Sequence, residues 1–77
     1  MKTPPISIVK KAYAIINKQL EMDTIPDNDW EAVSDNWDLC MWTDYRKFRA
    51  SLYEVNDGNI VNSSRTVIFE QDLEKII

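Results

Sequence analysis

Phe48-Arg49-Ala50-Ser51-Leu52-Tyr53-Glu54-Val55-Asn56-Asp57-Gly58-Asn59-Ile60 is the stretch on which the fold turns. Phe48, Ala50 and Leu52 alternate with Arg49, Ser51 and Tyr53, the period of a strand that turns one face to a core. The run closes on Asp57-Gly58, a pair suited to a type I′ hairpin because both central residues of that turn need positive φ. A hairpin centred there pairs Tyr53 with Asn62 and Phe48 with Val67, and predicts a third strand over residues 60–69.

Upstream, residues 37–42 also alternate. Trp37, Leu39 and Met41 lie on one side and Asp38, Cys40 and Trp42 on the other, which predicts a strand. Residues 6–22 have another period: Val9, Ala12, Tyr13, Ile16 and Leu20 follow the spacing of one helical face. Thr3 is the expected N-cap, with Pro4 at the first helical position. Asp23, Thr24 and Pro26 are expected to stop the helix.

Between helix and strand, Asn28 and Glu31 match a capping box, predicting a short helical turn over residues 30–34. At the other end, residues 70–77 read as a last helix, with acids near its N-terminus and Leu73, Ile76 and Ile77 on one face. The expected architecture is α+β: an N-terminal amphipathic helix on a three-stranded antiparallel meander, then a short C-terminal helix. Val9, Tyr13, Ile16, Leu20, Leu39, Met41, Phe48, Leu52, Val67 and Phe69 are the expected core.

This α-β-β-β-α order resembles that of the double-stranded RNA-binding domain. Such domains grip phosphate with basic residues at the start of their last helix, where this chain has Glu70, Asp72 and Glu74. The likeness ends at topology.

Length and composition narrow the function classes. A chain of 77 residues, 44% of them hydrophobic and 10% aromatic, suits one globular domain spanning residues 1–77. Cys40 is the only cysteine. No internal disulfide can form, and a lone thiol suits a reducing, cytoplasmic setting. Met1-Lys2-Thr3-Pro4-Pro5 does not read as a signal peptide, and no stretch approaches the roughly 18 apolar residues of a membrane span.

Catalytic chemistry is short of parts. The chain has no histidine, which removes Ser-His-Asp and Cys-His arrangements together with the commonest metal ligand. Cys40 has Asp38 and Asp44 nearby in sequence, which disfavours a thiolate. The one glycine excludes a Walker loop or dinucleotide fingerprint. Asp27, Asp29, Glu31, Asp35 and Asp38 follow the spacing of a calcium loop, but Ala32 stands where the sharp turn needs glycine and Asp38 where a bidentate glutamate belongs. A solvated acidic loop is the preferred reading. The expectation is a protein that is not an enzyme and has no cofactor and no metal.

Charge patterning carries the functional reading. From Lys18 to Arg46 there is no basic residue, while Glu21, Asp23, Asp27, Asp29, Glu31, Asp35, Asp38 and Asp44 are acidic, in a chain of net charge −4. Trp30, Trp37 and Trp42 all fall in this segment. Trp37 shares the face of Leu39 and Met41 and is expected in the core; Trp42 points to the other face and Trp30 sits among carboxylates. An exposed tryptophan ringed by like charge suits a protein interface, where aromatics supply energy and charge speeds encounter.

The expected interface is Asp23, Asp27, Asp29, Trp30, Glu31, Asp35, Asp38, Trp42 and Asp44, and the expected partner is a basic, nucleic-acid-binding protein whose groove the acids occupy. In size and charge the chain is similar to small phage and mobile-element inhibitors of nucleic-acid-handling defence systems, such as anti-CRISPR and anti-restriction proteins. That likeness is compositional. An alternative is a self-associating assembly module. A third is direct nucleic-acid binding through Lys10, Lys11, Arg46, Lys47 and Arg49, with Tyr45 and Tyr53 as stacking partners.

Overall fold

The computed structural model describes residues 3–22 and 27–76. Its first element is a helix, α1 (Ile6–Glu21). The chain enters it through Pro5, whose carbonyl accepts from the Ile8 and Val9 amides at 3.0 and 3.1 Å. Pro5 and not Thr3 is therefore the N-cap residue. Pro4 precedes a proline, which disfavours helical backbone at Pro4 and postpones the start. Ile8, Ala12 and Ile16 are buried, a stripe at every fourth residue. The expected stop at Asp23, Thr24 and Pro26 lies outside the described residues; Met22 is the C-cap.

Five strands follow: β1 (Asn28–Ser34), β2 (Trp37–Asp44), β3 (Lys47–Asn56), β4 (Asn59–Ile60) and β5 (Thr66–Asp72). The α+β class stands. The number of strands does not, because residues 28–34 form a strand where a helical turn was expected. A capping box helps only if helical hydrogen bonds follow it. Here Asp35-Asn36 turns the chain back, and the backbone groups of β1 are taken up by β2, with Asn28 opposite Trp42 and Trp30 opposite Cys40. A register shift between Ala32 and Ser34 marks a bulge at Val33, which turns toward the core.

The Asp57-Gly58 hairpin forms, with φ of 52° and 77° at its central residues. Its register lasts only through Val55 opposite Ile60 and Asn56 opposite Asn59. Asn62–Ser64 then makes a 3₁₀ turn. The Ser64 hydroxyl accepts from the Glu54 amide at 2.7 Å and donates to the Val61 carbonyl at 2.6 Å. This side chain occupies a place in the ladder that a strand carbonyl would otherwise fill.

The chain therefore re-enters the sheet late. Ser51 lies opposite Val67, and a bulge between the Ser51 and Ala50 pairings adds one more residue, so that Phe48 lies opposite Gln71 and not Val67. Tyr53 does not pair with Asn62, which belongs to the 3₁₀ turn. The expected helix over 70–77 is corrected too: β5 runs to Asp72 and α2 is only Leu73–Ile76. Glu70 and Asp72 sit opposite Arg49 and Lys47, and opposite charges across a strand pair favour the sheet over a last helix.

The sheet runs β1-β2-β3 with β5 on the far side of β3, and α1 covers one face. Between them lie Ile8, Ala12, Ile16, Trp37, Leu39, Met41, Phe48, Ala50 and Leu52. Phe69 packs its ring on Phe48 at 5.7 Å. Val9 and Leu20 are half-buried against this core. Two expected core residues are not in it. Tyr13 stays exposed so that its hydroxyl can donate to the Ile68 carbonyl at 2.9 Å, and Val67, opposite Ser51, faces away from α1. Among the described residues no helix is long and apolar enough to cross a membrane.

Candidate functional site

The face of the sheet turned away from α1 carries the candidate site. Strand alternation puts Asn28 and Trp30 of β1, Asp38, Cys40, Trp42 and Asp44 of β2, and Lys47, Arg49, Ser51 and Tyr53 of β3 on this outer face. Cys40 and Ser51 lie opposite each other at its centre and are both buried. Their side chains are small. Larger ones from neighbouring positions fold over them: Trp30 meets Tyr53 with ring centroids 5.1 Å apart, and the Arg65 guanidinium stands 5.0 Å over the Trp42 ring. What remains between them is a cleft of about 510 Å³, lined by Asp27, Asn28, Trp30, Cys40, Trp42, Asp44, Arg49, Tyr53 and Arg65.

Cys40 closes the floor with a small, buried side chain. Its thiol donates to Asn28 Oδ1 at 3.4 Å. Burial pushes its pKa up, Arg65 pulls it back and Asp29 adds to the rise. The thiolate is thus disfavoured chiefly by desolvation. The carboxylates of Asp38 and Asp44, expected from the sequence to raise it, are not the groups responsible.

A chain of ion pairs fixes one end of the cleft. Lys47 Nζ donates to Glu70 Oε1 at 2.8 Å, Arg49 Nε lies 3.2 Å from Glu70 Oε2, and Arg49 Nη1 lies 3.5 Å from Asp44 Oδ2. The hydrogen bond between them holds the Lys47 ammonium above the usual lysine range and the Glu70 carboxyl below the usual glutamate range.

The expected interface residues separate into groups. Asp27, Trp30, Trp42 and Asp44 line the cleft, and half-buried Asp38 shares its face. Asp29 and Glu31 pair with Met41 and Leu39, so strand parity turns them to the helix side of β1. Asp35 sits in the exposed β1–β2 turn, and Asp23 lies outside the described residues. The acids spaced like a calcium loop are thereby spread over two faces and a turn. Among the described residues no group of three His, Cys, Asp or Glu side chains is placed to hold a metal ion.

The expected basic set divides as well. Lys10 and Lys11 are exposed on α1, in the layer opposite Lys47 and Arg49, and the latter two are engaged by carboxylates. Arg46 and Tyr45 form the exposed β2–β3 turn. The sequence reading missed Arg65 as a cleft residue, because its place follows from the delayed return of β5. Tyr53 had the right signal in its shared strand face with Arg49. Comparison with protein-family models, curated proteins and solved structures finds no match.

Proposed function

We propose that this protein works by binding and not by catalysis, presenting its outer sheet face to a basic protein partner. The observation that supports this is the cleft itself. Two tryptophans and a tyrosine, with Trp30 47% exposed, stand beside Asp27 and Asp44 in one depression. Exposed aromatics at the centre of a polar rim are the composition of binding hot spots. The net charge of −4 favours encounter with cations.

A protein that handles nucleic acid fits the partner's description, because grooves that hold phosphate are basic. Occupying such a groove makes the chain an inhibitor or accessory factor, the role of phage and mobile-element anti-defence proteins of anti-CRISPR or anti-restriction type.

The test is a tagged pull-down from host lysate at low and high salt, comparing the native chain with Trp30→Ala and with the double variant Asp27→Lys/Asp44→Lys. A basic protein held at low salt, released at high salt and lost with either variant is the expected outcome. Equal retention by all three chains refutes the reading. Self-association is the second reading, favoured by β1 and β5, which both lie at the sheet's margins with one strand neighbour each. A concentration-dependent dimer in light scattering, abolished by Trp30→Ala, would replace the first reading with the second.

A further inference from the structure

We infer that the cleft receives an arginine side chain of the partner, and that Arg65 is its built-in competitor for the Trp42 ring. This rests on the outer face being the docking surface.

The Trp42 ring already carries a guanidinium. Arg65 lies 5.0 Å from its centroid, inside the roughly 6 Å over which a ring attracts a cation. The protein thus displays in itself the contact that it offers to another molecule. Arg49, by comparison, is bound to its own sheet by Glu70 and Asp44. Arg65 is exposed and joins the 3₁₀ turn to β5, and its other contact in the cleft is a long one, Nε to Ser51 Oγ at 3.5 Å. It is the cation in the cleft that can be displaced.

The surroundings favour a cation over an anion. Asp27, Asp44, Arg49 and Arg65 are the charged groups at the depression. Arg49 is neutralised by Asp44 and Glu70, so once Arg65 is displaced Asp27 is the carboxylate beside the Trp30 and Tyr53 rings that Arg49 does not engage. A guanidinium suits that combination better than an ammonium, since its plane stacks on an aromatic face while its edge pairs with a carboxylate. The occupant is therefore an arginine-bearing segment of a basic protein.

Arg65 makes the inference decidable through a sign. If the ligand is cationic, Arg65 competes with it and Arg65→Ala tightens binding. If the ligand is anionic, Arg65 holds it and Arg65→Ala weakens binding. The residue is exposed, so its removal leaves the core intact.

The experiment is a titration of the full chain with a short glycine-arginine peptide, its citrulline counterpart and a short oligothymidine, read from the Trp42 indole N–H shift and tryptophan fluorescence. Saturable binding of the arginine peptide is expected, about tenfold weaker for the uncharged citrulline peptide and a few-fold tighter in Arg65→Ala. Equal binding of the citrulline peptide, weakening in Arg65→Ala, no response to the arginine peptide, or preferential binding of oligothymidine each overturns it. The two readings fail separately. A partner captured through Trp30 and Asp27 without any response to the arginine peptide defeats only the arginine site. Saturation by the peptide, with retention in the pull-down indifferent to Trp30 and Asp27, defeats only the proposed partner interface.

Discussion

Ser64 shows how one hydroxyl sets a strand register. It is 2% exposed, accepts from the Glu54 amide and donates to the Val61 carbonyl. Ser64→Ala leaves that buried amide without its acceptor, which costs about 1–3 kcal/mol. Urea denaturation should show the loss as a lower midpoint at unchanged slope. Cys40 supplies a second residue-scale prediction. Its thiol pKa is raised, chiefly by burial, so little thiolate is present at neutral pH. Ellman's reagent should modify the folded protein much more slowly than the urea-unfolded chain. Equal rates would mean that Trp30, Trp42 and Arg65 do not cover the cleft floor.

Turns and strand pairs behave as units at the next scale. Tyr45 heads the β2–β3 turn with φ of 62° and is 96% exposed, so it carries left-handed backbone with no packing in return. Tyr45→Asn should raise stability by up to about 1 kcal/mol, measured by thermal or urea unfolding, since asparagine tolerates that conformation. The β3–β5 pair is tied by Lys47, Arg49 and Glu70, and its pH response has a definite sign. Glu70 is held below the usual glutamate range, so its contribution is present above that range and lost as pH falls through its folded pKa. Lys47 is held above the usual lysine range, so its contribution is complete below that range and lost as pH rises through its folded pKa. Glu70→Gln should therefore lose less stability than the native chain between about pH 7 and about pH 3, by urea midpoints at each pH.

One helix on one sheet leaves the whole molecule with a narrow margin. Phe48 is fully buried between α1 and the sheet and touches Phe69. Phe48→Ala should cost about 3–5 kcal/mol, comparable with the entire stability of a domain at the low end of the usual ~5–15 kcal/mol. Urea titration followed by circular dichroism at room temperature should find the variant at the edge of unfolding, its midpoint moved close to zero denaturant. The same economy shapes the site. With α1 covering one face, the other face is left for aromatic side chains that have no layer above them.

Alternation in 37–42 and 48–53 was enough to assign both central strands and the faces of Trp37, Trp42, Cys40 and Tyr53. The helical period of 6–22 and the Asp57-Gly58 turn were equally legible, because each depends on neighbours a few residues apart. The α+β class followed from them. Residues 28–34 and 70–72 were not legible, since their local signals favour helix and only pairing with β2 and β3 overrides them. The same holds for the cleft. Trp30 and Trp42 could be named from the acidic segment, but Arg65 reaches Trp42 only after Ser64 has delayed the return of β5. Periodicity determines which way a side chain points; which distant side chains share a face is a matter of register, and the β3–β5 register follows the 3₁₀ turn closed by Ser64 and the bulge opposite Ala50 and Ser51, neither of which periodicity encodes.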